Sequence, residues 1–335
     1  MRRMLIVLAA AAAVAGCREM ALPPPGSYSE LLLVTEEGAG GEWASLLMPI
    51  LGAERDYITS MEAAFAISHV RASEMPDLPD TKNVVICGVM DSGTYVGSII
   101  LSLVGDRSVQ RVAEGQANIL KKENTPAPGQ MTLIVTAPTA EALRDVIRTR
   151  GEELPEIVES SSRERLRRHL LSSPNRGLTE SLRRKYGFTI EVPTYYRLFS
   201  ESQTPPGVEL LHEPPTRVLG VFWADREEPP SIYRSDELFD LRSAYVWERY
   251  DHDKMDRNRV RYTWTRFAGY NALRMSGYWY NDKATAGGYF ETYFIHDTDA
   301  DLLWAVDLLT YAPGRPKHPL VRELLALAET FRHGQ

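Results

Sequence analysis

Cysteine is almost missing from this chain: 335 residues carry two. One mature chain therefore has no disulfide framework to hold it, and its fold rests on a packed core. An excess of basic charge is missing too. There are 38 Lys and Arg against 45 Asp and Glu, a formal net charge of −7. Such a molecule is not drawn to nucleic acid or anionic lipid at long range. No apolar run approaches the about 20 residues that span a bilayer as a helix. The short signatures of familiar catalysts are absent as well. There is no HExxH, no GxSxG elbow and no Ser-x-x-Lys with its supporting motifs, so zinc hydrolysis and serine acyl transfer have no foothold. Gly88 to Gly93-Thr94 has the spacing of a phosphate loop without its lysine. The lysine supplies the charge that holds terminal phosphates, so a plain strand-to-helix turn is the better reading.

What is present begins at the first residues. Arg2 and Arg3 precede an uncharged apolar run over 4–14, and Val14-Ala15-Gly16-Cys17 follows. A positive start, a short apolar stretch and small residues before a cut are the parts of an export signal. The cysteine at the cut resembles the bacterial lipobox, whose thiol is acylated before cleavage. The expectation is a signal peptide over 1–16 and lipidation of Cys17. Cleavage would remove Arg2 and Arg3 and take the net charge from −7 to −9. Acyl chains would then do the anchoring, at about 0.8 kcal/mol per buried methylene. Arg18 follows the cysteine where Asp would favour inner-membrane retention, so an outer-membrane location in the cell envelope is expected. Residues 17–27, with Pro23-Pro24-Pro25, read as an extended tether. Cys87 lies in Val84-Val85-Ile86-Cys87 and reads as a buried strand residue.

Two domains are expected in the mature chain, an α/β one over 28–172 and an α+β one over 173–335. In the first, strands are expected at 30–35, 64–71, 83–90, 117–122 and 131–136. Helices are expected at 43–51, 94–104, 140–150 and 163–171. In the second, a short helix over 182–186 stops at Gly187. Strands are expected at 188–192, 195–199, 218–224, 231–233, 260–266, 275–280, 288–295 and 302–311. Residues 242–250 fit strand or helix, and a closing helix runs over 319–331. Blocks of strands and helices without strict alternation give an α+β class, with largely antiparallel sheets flanked by helices. The two halves share a faint ending, strand-Thr-Ala-Pro-helix at 131–138 and strand-Tyr-Ala-Pro-helix at 302–313, for which chance is the better account than duplication.

Three groups of residues carry candidate chemistry. Asp251, His252, Asp253 and Asp256, with His296, Asp297 and Asp299, could supply metal ligands but lack ligand spacing. No metal and no cofactor are expected. Residues 163–185 carry Arg163, Arg165, Arg167, Arg168, Arg176, Arg183, Arg184 and Lys185 against Glu164 and Glu180. That basic stretch could meet lipid head groups or an acidic partner, though a solvated connector accounts for it. The third group is aromatic. Along 288–294, Tyr289, Glu291 and Tyr293 alternate with Phe290, Thr292 and Phe294. The phenylalanines should face the core. The tyrosines and Glu291, joined by Tyr278 and Tyr280, form a candidate binding face, since Tyr suits a surface half dry and half wet. The competing account is a helix over that face and hydroxyls satisfied within the protein.

Several segments resemble a family of bacterial lipoproteins, of Bacteroidetes type, defined only as a domain of unknown function. They are Glu191-Val192-Pro193 with Tyr195, Val221-Phe222-Trp223 with Ile232-Tyr233, and Arg249 with Asp251. Gly277-Tyr278-Trp279, Gly287-Gly288-Tyr289-Phe290 and Tyr311-Ala312-Pro313 with Lys317 are the more specific. The family's Met-Gly-Gly-Pro-Phe reads Ala286-Gly287-Gly288-Tyr289-Phe290 here, so the chain is a diverged relative. The resemblance implies an envelope lipoprotein and brings no activity. The C-terminal half also resembles PsbP-like domains, which implies an antiparallel sheet flanked by helices in a binding or assembly module. The expectation is a membrane-anchored, non-enzymatic module with an envelope protein or glycan as partner and no nucleic acid. The alternative is a hydrolase acting on an envelope polymer through carboxylates that the sequence does not single out.

Overall fold

The computed structural model of the protein describes residues 27–38, 40–57, 60–75, 81–231, 234–250 and 252–334. The export segment, Cys17, the tether up to residue 26, Ile232-Tyr233 and Asp251 lie outside the described residues.

The first part of the chain supplies β1 (Glu30–Thr35), α1 (Glu42–Leu51), β2 (Glu54–Asp56), β3 (Met61–Ala63), β4 (Ala66–Arg71), β5 (Asn83–Val89), α2 (Tyr95–Leu103) and α3 (Asp106–Ala113). β6 (Ile119–Glu123), β7 (Met131–Ala137), α4 (Ala140–Arg150) and α5 (Leu154–Leu170) follow. Five strands form one sheet in the order β4-β1-β5-β7-β6. The pairs β1–β4, β1–β5 and β5–β7 are parallel, and only β6 runs antiparallel, along β7. Parallel strands need both faces covered. That is why β5 is apolar from Val84 onward. Val85 and Cys87 pack with α1 and α4, while Val84 and Ile86 pack with α2 and α3. Burial pushes the Cys87 thiol far above its usual range, so it stays protonated.

The glycine turn after β5 does what a strand-to-helix turn requires. Thr94 caps α2 by accepting from Gly97 N at 3.2 Å. The carboxylate of Glu36 accepts from Val96 N at 2.7 Å. The anion at this helix N-terminus is therefore the protein's own.

The second part supplies α6 (Arg176–Tyr186), β8 (Phe188–Thr189), β9 (Arg197–Gln203), β10 (Pro206–His212), β11 (Thr216–Asp225), α7 (Ser235–Arg249) and β12 (Lys254–Met255). β13 (Arg261–Phe267), β14 (Tyr270–Asn281), β15 (Ala286–Asp297), β16 (Leu302–Tyr311), α8 (His318–Ala328) and β17 (Arg332–His333) complete it. β12, β14, β15, β16, β11, β10 and β9 lie side by side in that order, with β13 also on β14, in an antiparallel sheet of eight strands. One face packs under α7 through Phe222, Phe290, Phe294, Leu303 and Leu309. The other packs under α6 and α8 through Tyr293, Ile295, Val306, Leu324, Leu327 and Phe331. Burying each large apolar side chain contributes about 1.5–3 kcal/mol. The protein is thus α+β, with the parallel strands confined to the smaller sheet. Because the two sheets differ in strand order and direction, the shared Ala-Pro endings reflect no common architecture.

Two charged pairs sit beneath α7. Arg242, with no exposed surface, donates to Asp307 at 2.7 and 3.0 Å, and its guanidinium lies 3.6 Å from the centre of the Phe290 ring. Arg249 donates to both oxygens of Glu209 at 3.1 and 2.7 Å. Close packing explains the glycines of the same region. A methyl at Gly288 would lie 2.1 Å from the Thr310 carbonyl, where the Trp279 indole donates. A methyl at Gly207 would strike the Tyr245 hydroxyl at 2.4 Å and its ring at 2.5 Å.

Candidate binding cleft

Alternation along β15 places the expected residues as the pattern requires. Tyr289 pairs with Tyr278, Glu291 with Ser276 and Tyr293 with Arg274, so all face the α8 side, while Phe290 and Phe294 face α7. The face is not open, however. Tyr289, Glu291 and Tyr293 are each 5–6% exposed. Tyr289 packs against Tyr57, which follows β2, and against Val321 of α8. Its ring meets that of Tyr57 edge-on at 4.9 Å. Both tyrosine hydroxyls donate to Glu291, at 2.8 and 2.5 Å. Tyr278 and Tyr280 are half-buried, stack on one another at 6.2 Å, and stand outside the lining of the cleft. The expected surface is instead the floor of a polar cleft of about 480 Å³.

The walls of that cleft come from both parts of the chain. α5 contributes Glu156, Glu159 and Arg163, the segment after α1 contributes Arg55 and Tyr57, and α8 contributes His318 and Arg322. At its deepest point Glu159 and Arg322 are each 1% exposed. Arg322 Nε donates to Glu159 Oε1 at 3.0 Å and Nη2 donates to Oε2 at 2.6 Å. A third hydrogen bond runs from Nη2 to the Ala64 carbonyl at 3.0 Å, and Nη1 reaches Ser29 Oγ at 2.7 Å. His318 Nε2 lies 3.2 Å from Glu159, and its Nδ1 is hydrogen-bonded to the Tyr57 hydroxyl. Glu62 caps α8 by accepting from the Lys317 and His318 amides at 2.6 and 2.9 Å.

This geometry fixes the protonation states. Burial alone would raise the Glu159 carboxyl, yet the hydrogen bonds from His318 and Arg322 hold it well below the usual carboxylate range. Burial lowers His318 despite Glu159, so the imidazole is neutral near pH 7. Burial pushes Tyr57, Tyr289 and Tyr293 above their ordinary value, and the Glu291 charge adds to the effect. None of these phenols is an accessible nucleophile at neutral pH. Burial raises Glu329, against the pull of Arg163 and Arg167.

Each carboxylate around the cleft is engaged by an arginine. Glu156 and Glu329 meet Arg163 at 3.1 and 3.2 Å, Asp56 meets Arg261 at 2.5 Å, and Glu291 lies 3.9 Å from Arg274. Apart from Glu329, whose carboxyl burial raises, carboxylates committed in this way are poor general acids, because the cation keeps the proton off. The arrangement offers hydrogen-bond donors and fixed charges to a bound group.

The other candidates disperse. In the basic stretch, Arg167 and Arg168 contact Glu164, Arg183 and Arg184 contact Glu180, Lys185 contacts Glu201, and Arg165 is buried. Asp256 caps the turn at Arg257–Arg259, His252 stacks on Trp247, and Asp253 accepts from Asn281. His296 is bonded to the Arg226 carbonyl and Asp297 contacts His333. Among the described residues no three such side chains gather as metal ligands would. Sequence reasoning missed Glu159, Tyr57, His318 and Arg322. The available signal was a charge on a buried stripe, since Arg322 lies between Val321 and Leu324 on the buried side of α8.

Residues 244–330 match a family described as a domain of unknown function, DUF4837. The match takes in the end of α7, β12 to β16 and all of α8, hence the floor of the cleft and one wall. It covers Arg249, Gly277-Tyr278-Trp279, Gly287-Gly288-Tyr289-Phe290 and Tyr311-Ala312-Pro313, whereas Glu191-Val192-Pro193 and Val221-Phe222-Trp223 precede it. DUF4837 spans less than half of the chain and carries no assigned activity. No curated protein matches the sequence. Among solved structures there is similarity to LpqN of Mycobacterium tuberculosis, described as involved in cell envelope biogenesis, at 10% identity and a TM-score of 0.28. It covers 43% of this chain and 81% of that one. At that score the likeness carries no argument about fold or role.

Proposed function

We propose that the protein is a lipid-anchored envelope lipoprotein, held in the outer membrane, that binds a glycan or protein partner in the cleft and does no chemistry on it. The observation that carries the binding reading is the engagement of every cleft carboxylate by an arginine, with Glu159 held ionised at the deepest point. A glycosidase needs one carboxyl kept protonated and a second free to act as base or nucleophile. The anchor reading rests on Arg2, Arg3, the apolar run and Cys17. Among the described residues no helix is long and apolar enough to cross a membrane.

The test is cross-linked capture from the native envelope, comparing the unchanged chain with Thr263→Trp. Thr263 is exposed on β13 and lines the cleft, so a bulky ring there blocks access without touching the buried network. A reproducible partner lost in the variant supports the cleft. Equal capture by both chains removes it. Release of soluble fragments from purified envelope polymer, abolished by Glu329→Gln, would establish the hydrolase instead.

A further inference from the structure

The two edges of the eight-stranded sheet are built differently. β9, at one end, pairs with β10 through a ladder interrupted between Glu209 and Leu210, so the strand bulges at Phe199. A bulge turns an edge away from further pairing. At the other end β13 lies along the outer side of β14 and pairs with it over seven consecutive residues without interruption. Ala268 and Gly269, at φ 52° and 92°, make the two-residue turn that closes this hairpin at Phe267 and Tyr270. The closing pair of such a turn is hydrogen-bonded and bonded pairs alternate from it, so Thr265 and Thr263 bond to β14. The N–H and C=O groups of Tyr262, Trp264 and Arg266 therefore point outward.

Among the described residues no backbone group meets that outward row. The Arg266 carbonyl alone has a side-chain partner, the Thr265 hydroxyl at 3.3 Å. Trp264 stands at the centre of the row and is 51% exposed. A straight, unpaired edge of this kind is a template for another strand. The strand is also complementary to itself. Laid antiparallel on a second copy about Trp264, it sets Trp264 opposite Trp264, Tyr262 opposite Arg266 and Thr263 opposite Thr265. Arg261 falls opposite Phe267, so no like charges meet across the pair. Each outward residue then exchanges both backbone hydrogen bonds with its opposite, and the second lone pair of the Arg266 carbonyl serves its share. No arginine has to give up a partner: Arg261 keeps Asp56, and Arg266 keeps Asn271 and the Gly269 carbonyl.

We propose that two copies of this chain join edge to edge through β13, in a two-fold dimer whose large sheets continue into one another. The pairing stands on the strand edge and does not require the cleft to bind anything. It has a consequence for the cleft all the same. Thr263 and Thr265 line it, so their pairing across the two-fold axis sets two clefts side by side on one face of the joined sheet. On the binding reading, an extended partner held in one cleft then reaches the second, which raises its affinity without a new kind of contact.

The test uses the full chain carrying Cys17→Ser, in which buried Cys87 is the one remaining thiol. Copies with Thr263→Cys and copies with Thr265→Cys are mixed and oxidised. A disulfide-linked pair with one of each should form, because the opposed positions bring their Cα atoms to about 4.5 Å, within disulfide reach. Either variant alone should cross-link far less, since like positions stand diagonally at about 7–8 Å. Sedimentation velocity should show a dimer that grows with concentration. Trp264→Lys removes the central ring and sets two like charges opposite each other, so it should weaken the dimer about tenfold or more and suppress the cross-link. Trp247→Lys, on the exposed side of α7, should leave both intact. Equal cross-linking by like and unlike positions, no cross-link at all, or a dimer that survives Trp264→Lys overturns the proposal. No partner is present in these measurements, so their failure leaves the binding cleft standing.

Discussion

Removing the carboxylate of Glu159 should be among the most costly single changes in this molecule. Glu159 and Arg322 are each 1% exposed, and two of the guanidinium's hydrogen bonds end on Glu159 at 3.0 and 2.6 Å. Glu159→Ala leaves a buried cation whose hydrogen-bond partners among the described residues are Ser29, Ala64 and His318, all neutral. Breaking such a pair from one side costs about 3–5 kcal/mol, against a total stability of about 5–15 kcal/mol. Guanidinium unfolding followed by tryptophan fluorescence measures it through the shift in midpoint at constant slope. Arg322→Met should cost a similar amount. The pair Glu159→Leu with Arg322→Met should cost clearly less than the two single changes together, because no charge is left uncompensated. If each single change costs under about 1 kcal/mol, or the two simply add, the idea of a sealed ion pair bridging α5 and α8 is wrong.

Acid should destabilise the protein through the same cluster. The folded-state values of Glu159 and His318 lie below their ordinary ones. The unfolded chain therefore binds more protons, and stability is lost as pH falls from about 6.5 toward the folded value of His318. His318→Gln should flatten that part of a stability–pH curve, and an unchanged slope would assign it to another group. Gly288→Ala should cost about 1–3 kcal/mol or more from overpacking against the Thr310 carbonyl, and a melting temperature within error of the parent would contradict the register of β15 on β16. Tyr293→Phe should cost about 1–3 kcal/mol by leaving buried Glu291 short of a donor, read by denaturant titration, with no loss contradicting that bond. Cys17→Ser should yield a chain without acyl mass that leaves the membrane fraction, and continued membrane retention would count against the anchor.

Local signals carried much of this fold. The unbroken apolar run of β5 announced a central strand, and the alternation along β15 separated Phe290 and Phe294 from Tyr289 and Tyr293 correctly. The expected helix at 163–171 is the end of a longer one, α5, because Glu159, Ser161, Ser162 and Arg165 on its buried side erase the apolar stripe. α7 was ambiguous for a related reason. Its buried positions, Leu238, Phe239, Arg242, Tyr245 and Val246, follow helical spacing, but an arginine occupies the centre of the stripe. The strand β10 and the helix α3 gave no signal strong enough to place them. The expected strand over 188–192 is only two residues long, because Pro193 follows and β8 pairs with β17 alone. The cleft itself could not be read. Its members lie far apart in the chain, Tyr57 and His318 by 261 residues, and the packing of α8 on α5 brings them together.

That packing has a consequence for how the molecule matures. A ribosome delivers residues in order, so α8 emerges after α5 and after every strand of the two large sheets. Until it docks, the smaller sheet carries α5 with a carboxylate turned toward a vacancy, and Ser29 and the Ala64 carbonyl lack their donor. The early half of the polypeptide is thus unfinished until α8 has docked. A chain that stopped before His318 would lose the keystone of both halves at once, which gives quality control a ready means of recognising it as broken.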